Sequence, residues 1–132
     1  MATEKQVKDR VKRIIDLYTK YNAVYTLNPM TFGYGESGHP DKLVLINGSL
    51  IGVECKKDIN NHHLRPTLKA KPNEVMQKRQ KQKIHDAGGY WLCICNTNFD
   101  LLVHMLDTLA LRKSDTFTLD DKQLLEKLEQ DI

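Results

Sequence analysis

The 132-residue chain has no apolar run near the roughly 18 residues a membrane span needs, so no span is expected. Its first residues, MATEKQVKDRVKR, hold no apolar signal core, which argues against secretion by that route. Cysteine is scarce and odd in number. Cys55, Cys93 and Cys95 sit in apolar stretches and read as reduced core residues of an intracellular protein, not as a disulfide framework. His39 and the pair His62-His63 have no Cys or His partner at zinc-finger spacing, so structural zinc is not expected. There is no internal repeat, no low-complexity stretch and no linker long enough to divide the chain, which leaves one domain over 1–132. The chain is 40% apolar and 28% charged, an ordinary globular balance that excludes a collagenous or wholly disordered protein. A domain of this size buries a core without staples, so any metal should serve chemistry.

The net charge of +3 conceals an uneven layout. Residues 56–83 hold nine Lys/Arg against two acids, whereas residues 98–132 hold eight acids against four bases. The basic block suits a polyanion; a solvated lysine-rich loop and helix is the plainer alternative.

Thr3-x-x-Gln6 has the form of a capping box, and Val7, Val11, Ile14, Ile15 and Tyr18 recur at helical spacing, which predicts a helix over 3–21. Residues 23–27 are rich in strand formers, and Pro29, Gly33, Gly35 and Gly38 mark a loop over 28–39. Strands are predicted over 41–46 and 50–56 around Asn47-Gly48, a strong hairpin signal. Residues 58–72 read as a basic flexible loop. Pro72-Asn73 opens a helix to Asp86 that stops at Ala87-Gly88-Gly89. A strand over 90–96 and helices over 99–112 and 119–129 complete the order αβββαβαα, a mixed α/β domain with one small sheet. The helix over 99–112 carries Leu101, Leu102, Met105, Leu106, Leu109 and Leu111, which suits either core packing or a dimer interface. Trp91 and Tyr90 read as packing residues rather than a base-stacking platform.

The most informative stretch is GHPDKLVLINGSLIGVECKK, residues 38–57. With Asn47-Gly48 as a two-residue turn, Ile46 faces Ser49, Leu45 faces Leu50, and Asp41 falls opposite Glu54. Their Cβ atoms would lie about 4.5–5.5 Å apart, and like charges so placed repel. Such a pair needs a shared proton or a cation, and a hard divalent ion is commonly held by one or two carboxylates. Strand alternation puts Lys56 on the face of Glu54. Val44, Ile46, Ile51, Val53 and Cys55 fall on the other face, while Leu43, Leu45 and Leu50 line the first. Both faces are thus apolar, as in central strands covered on each side. Alone, the pattern also fits a salt bridge of Lys56 with Glu54 beside a capping Asp41.

The flanks add to it. Gly38-His39-Pro40-Asp41, then Glu54-Cys55-Lys56, then Gln77 and Gly88-Gly89 together resemble the VRR-NUC (virus-type replication–repair nuclease) family of the PD-(D/E)xK nuclease superfamily, over about residues 1–105. The resemblance implies a restriction-endonuclease-like core, a small mixed sheet flanked by helices. It implies that Asp41, Glu54 and the backbone carbonyl of Cys55 ligate Mg²⁺, with Mn²⁺ as substitute, and that Lys56 orients or activates the attacking water. Gln77 matches the family's helix glutamine, with Gln80 as the competing choice and a solvated helix residue as the alternative. Glu4 matches its first-helix acid; it sits on the buried stripe with Val7 and Val11, though an acid in a first helical turn is favourable anyway.

On that resemblance, the expected activity is metal-dependent hydrolysis of DNA phosphodiesters by a structure-selective endonuclease, on branched DNA such as Holliday junctions. A homodimer is expected, and small stand-alone members look phage- or virus-like, which would place the protein in the host cytoplasm. The basic block, with Lys57, His62, His63, Arg65, Lys69, Lys71, Lys78 and Lys81, is expected to track phosphates. The competing expectation is a nucleic-acid-binding subunit with this fold and little or no catalysis.

Overall fold

The computed structural model describes residues 2–29, 38–61, 72–112 and 120–130. Helix α1 (Glu4–Thr19) begins at the capping box: the Thr3 hydroxyl accepts from Gln6 N–H, and the Gln6 side chain accepts from Thr3 N–H. Strands β1 (Val24–Leu27), β2 (Lys42–Ile46) and β3 (Ser49–Cys55) follow, then a single 3₁₀ turn (Ile59–Asn61). Helix α2 (Pro72–Asp86), strand β4 (Tyr90–Ile94) and helices α3 (Phe99–Leu111) and α4 (Asp121–Gln130) complete the expected order.

The sheet runs β1-β2-β3-β4, antiparallel except for the β3–β4 pair, which α2 makes possible as a crossover. Asn47 and Gly48 both take positive φ (49° and 79°), the type I′ turn that matches strand twist. The turn fixes the register as counted from sequence, from Ile46↔Ser49 through Val44↔Ile51 to Lys42↔Val53.

One sheet face carries the core. Val44, Ile46, Ile51, Val53, Cys55 and Ile94 pack against Val7, Val11 and Ile15 of α1 and Leu102, Leu106 and Leu109 of α3, all buried. Each such side chain contributes about 1.5–3 kcal/mol. The Tyr18 hydroxyl ties the helices together by bonding to Asp107 and the Val103 carbonyl; burial, and after it the Asp107 carboxylate, raise its pKa to about 12. All three cysteines are buried, and none of them forms a disulfide. On α3 the apolar excess divides: Leu102, Leu106 and Leu109 are buried, whereas Leu101 and Leu111 are exposed.

The second face departs from expectation. Helix α2 covers only the β3–β4 side, where Gly52 meets Trp91 and Ile84. Leu45 and Leu50 stay exposed, so these strands are not covered on both sides toward the hairpin tip. β4 also ends two residues early. Asn98 accepts from Cys95 N–H (2.7 Å) and donates to the Cys93 carbonyl (3.0 Å), bending the chain out of the ladder. The α2 C-terminus closes as a Schellman motif: Gly89 N–H bonds to Ile84 O, Gly88 N–H to His85 O, and Gly88 has φ +87°. Helix α4 buries no side chain, and Leu124, Leu125 and Leu128 are exposed. Among the described residues, no helix is long and apolar enough to cross a membrane.

Candidate active site

The parallel strands β3 and β4 end side by side, at Cys55 and Ile94, and Lys56 N–H extends the pairing onto the Ile94 carbonyl (2.9 Å). On the other flank of β3, Asp41 lies one residue before β2. The register therefore puts it opposite Glu54, one step past the last pair, Lys42↔Val53. Two acids thus share a rim of the sheet, beneath the first halves of α1 and α2.

Asp41 is engaged at both oxygens. Its Oδ2 accepts from Cys55 N–H at 2.7 Å, and its Oδ1 lies 3.3 Å from Lys8 Nζ. Glu54 is buried at 4% exposure and lopsided. Its Oε1 accepts from Gln77 Nε2 (3.1 Å) and lies 3.8 Å from Lys56 Nζ, whereas Oε2 is buried with no donor in reach. Burial, and after it the Asp41 carboxylate, push the Glu54 carboxyl up to about 8, against the opposing pull of Lys56. Two carboxyl groups are both acceptors when ionised, so contact between Asp41 and Glu54 is a hydrogen bond only if one keeps a proton.

That arrangement fits a cation. Among the described residues no three His, Cys, Asp or Glu side chains gather to hold a metal ion. Two carboxylates and a backbone carbonyl are a sparse set, which suits Mg²⁺, an ion that keeps several waters and takes substrate phosphate as a ligand. The Cys55 thiol is no competitor: burial, then Asp41 and Glu54, push it up to about 12.

The helix α2 is pinned where its glutamines are needed. Gly38, at φ +83°, lies directly on the α2 backbone; a Cβ there would stand 2.3 Å from Met76 C and 2.7 Å from Gln77 N. This close approach seats Gln77 over Glu54. Gln80 is buried as well, so both candidate glutamines point inward, and Gln77 donates to Glu54 Oε1.

The chain is similar to a solved structure described as a VRR_NUC domain. The match spans 78% of this chain and 97% of that one, at 19% identity and a TM-score of 0.47. No family model and no curated protein matches the chain.

Asp41, Glu54, Lys56, Gln77 and the Cys55 backbone are therefore brought together. Glu4 stands at the edge of this group, near enough for its charge to act on Glu54; its side chain is about half exposed, which corrects the expectation of a buried position. It pairs with Lys8 at 3.8 Å, and reaches Asp41 only through that lysine. Its phase does lie on the Val7–Val11–Ile15 stripe, but Glu4 opens α1, one turn before Val7, the first buried position of that helix. Lys8 is the site residue that sequence reasoning missed; its spacing from Glu4 was the available signal. Lys57 and Lys78 are exposed and Lys81 is half-buried. His62, His63, Arg65, Lys69 and Lys71 lie outside the described residues, as does most of the predicted basic loop.

Proposed function

We propose that this chain is a Mg²⁺-dependent endodeoxyribonuclease that hydrolyses DNA phosphodiesters, with Mn²⁺ as substitute and branched DNA such as Holliday junctions as substrate, acting as a homodimer. The observation that carries the reading is the buried, donor-less Glu54 Oε2 beside Asp41, with the Lys56 ammonium 3.8 Å from the other Glu54 oxygen. A purely structural salt bridge would leave neither a bare carboxylate oxygen nor a repelling acid pair.

Asp41, Glu54 and the Cys55 carbonyl would hold the ion. When bound, it supplies Lewis acidity toward the phosphoryl oxygens and acidifies a water. Lys56, with its side chain 14% exposed, would stand where negative charge grows on the phosphoryl group. Gln77 fixes Oε1 of Glu54 through its amide and so leaves Oε2 as the free ligand atom. The Cys55 amide fixes Oδ2 of Asp41, whose Oδ1 faces Lys8. Lys57 and Lys78 offer exposed charge for the flanking phosphates.

One observation favours the binding-only reading, a nucleic-acid-binding subunit without catalysis: the absence, among the described residues, of a third acid or histidine at the pair. Labelled junction, flap, single-stranded and duplex DNA, each with Mg²⁺, Mn²⁺ or EDTA, separates the two. Metal-dependent cutting, lost in Asp41→Asn and Glu54→Gln, is the expected result. Binding without cutting under every metal would leave the subunit reading standing.

A further inference from the structure

The Asp41–Glu54 pair already has a cation beside it, and it is not Lys56 alone. Lys8 Nζ lies 3.3 Å from Asp41 Oδ1, and the same ammonium lies 3.8 Å from Glu4 Oε2. Lys8 stands on α1, across the rim from Lys56. The two ammonium groups divide the two acids between them: Lys8 serves Asp41 and Lys56 serves Glu54. Asp41 Oδ2 is committed to the Cys55 amide, so Oδ1 is its remaining oxygen, and Lys8 occupies it.

We infer that Lys8 is a built-in competitor for the divalent cation: it balances Asp41 in the metal-free protein, and metal binding must displace that pairing. Glu4 is the second berth that makes the displacement inexpensive. An ammonium driven from Asp41 keeps one carboxylate four residues back on its own helix, within reach without any backbone change. The pair Glu4–Lys8 therefore sets how readily the site accepts the ion, although neither residue ligates it. This rests on the metal site proposed above, and Lys8 and Glu4 are positioning residues in it.

Burial alone would lower the lysine's pKa, but Asp41 and then Glu4 more than offset it and hold it above its ordinary value, so the ammonium stays charged throughout the range where a nuclease works. The Lys8 and Glu4 side chains are 43% and 48% exposed, so substitution at either leaves the core intact.

The test is calorimetric titration of Mn²⁺ into DNA-free protein, wild type against Lys8→Met, Lys8→Arg and Glu4→Gln, with Glu54→Gln as the site control. Lys8→Met keeps most of the alkyl stem and removes the competing charge, so Mn²⁺ should bind about two- to five-fold tighter, the scale of a rim ion pair. Lys8→Arg should stay near wild type. Glu4→Gln, which removes the second berth, should bind Mn²⁺ about two-fold weaker. These opposite signs from two neighbouring rim residues are not what loss of helix stability would give. Unchanged or weaker binding by Lys8→Met, with wild type binding Mn²⁺ and Glu54→Gln failing to, would overturn the competitor role and leave the metal site standing. No Mn²⁺ binding by wild type would overturn both. Unchanged binding in Glu4→Gln would remove Glu4 from the account.

Discussion

β3 buries two kinds of residue on its two sides, and they obey opposite rules. Val53 and Cys55 face α1 and α3, fully enclosed among hydrocarbon, and their burial is itself the driving force for folding. Glu54, between them, is buried almost as completely on the α2 side, with one oxygen lacking a donor and an acid for a neighbour. That burial works against the fold. One side of the strand pays, in stability, for the chemistry set up on the other. Substitutions on the two sides should therefore separate stability from activity.

The largest effect expected is on activity. Glu54→Gln should nearly abolish metal-dependent cleavage while raising, or leaving unchanged, the midpoint of denaturant unfolding in EDTA at pH 8. A cleavage rate within a few-fold of wild type would break the contrast. On the other side of the sheet, Ile51→Ala should cost about 2–5 kcal/mol of stability, read by urea unfolding. Any surviving folded fraction of Ile51→Ala should still cut DNA.

Gly38→Ala tests the seam between the two regions. The added methyl meets the α2 backbone and a positive φ together, so unfolding should become easier by more than about 1 kcal/mol. Cleavage should fall beyond what unfolding explains, because Gln77 moves off Glu54.

The pH dependence of stability sharpens the comparison further. The folded-state pKa of Glu54 is raised from an ordinary 4.5 to about 8. Its contribution is therefore fully present below about pH 4.5 and is lost as pH rises through about 8. In EDTA, unfolding free energy should decline across that window. Glu54→Gln should flatten the decline, and saturating Mg²⁺ should reverse it. A decline that persists in Glu54→Gln would assign it to other groups.

The smallest effects belong to the surface. Lys57→Ala and Lys78→Ala should each remove about one unit from the slope of log affinity against log salt, with stability unchanged.

How much of this was legible in sequence follows from how local each feature is. The hairpin register was, because Asn47-Gly48 accepts one turn type and a turn type fixes every pair beyond it, Asp41 and Glu54 included. The Schellman end of α2 was, through Gly88-Gly89. The exposure of Leu45 and Leu50 was not, because it depends on where α2 docks, and an apolar strand face looks the same covered or bare. Lys8 was not, because its partner Asp41 is far away in sequence and only the tilt of α1 across the sheet end brings them together. Gln77 stood between: its helical phase turned it inward, and its donation to Glu54 came only with the docking of α2.

The two-residue turn at Asn47-Gly48 also limits how this chain can change by insertion and deletion. Adding or removing one residue between Ile46 and the turn would send Asp41 to the hydrocarbon face and turn Val44 and Ile46 outward together. Length changes there keep Asp41 opposite Glu54 only when they come in even steps matched by the same change in β3, and the tip can be exchanged only for another two-residue turn of type I′ or II′. In a lineage of such chains, the two arms of the hairpin should therefore change length together and by two, or not at all.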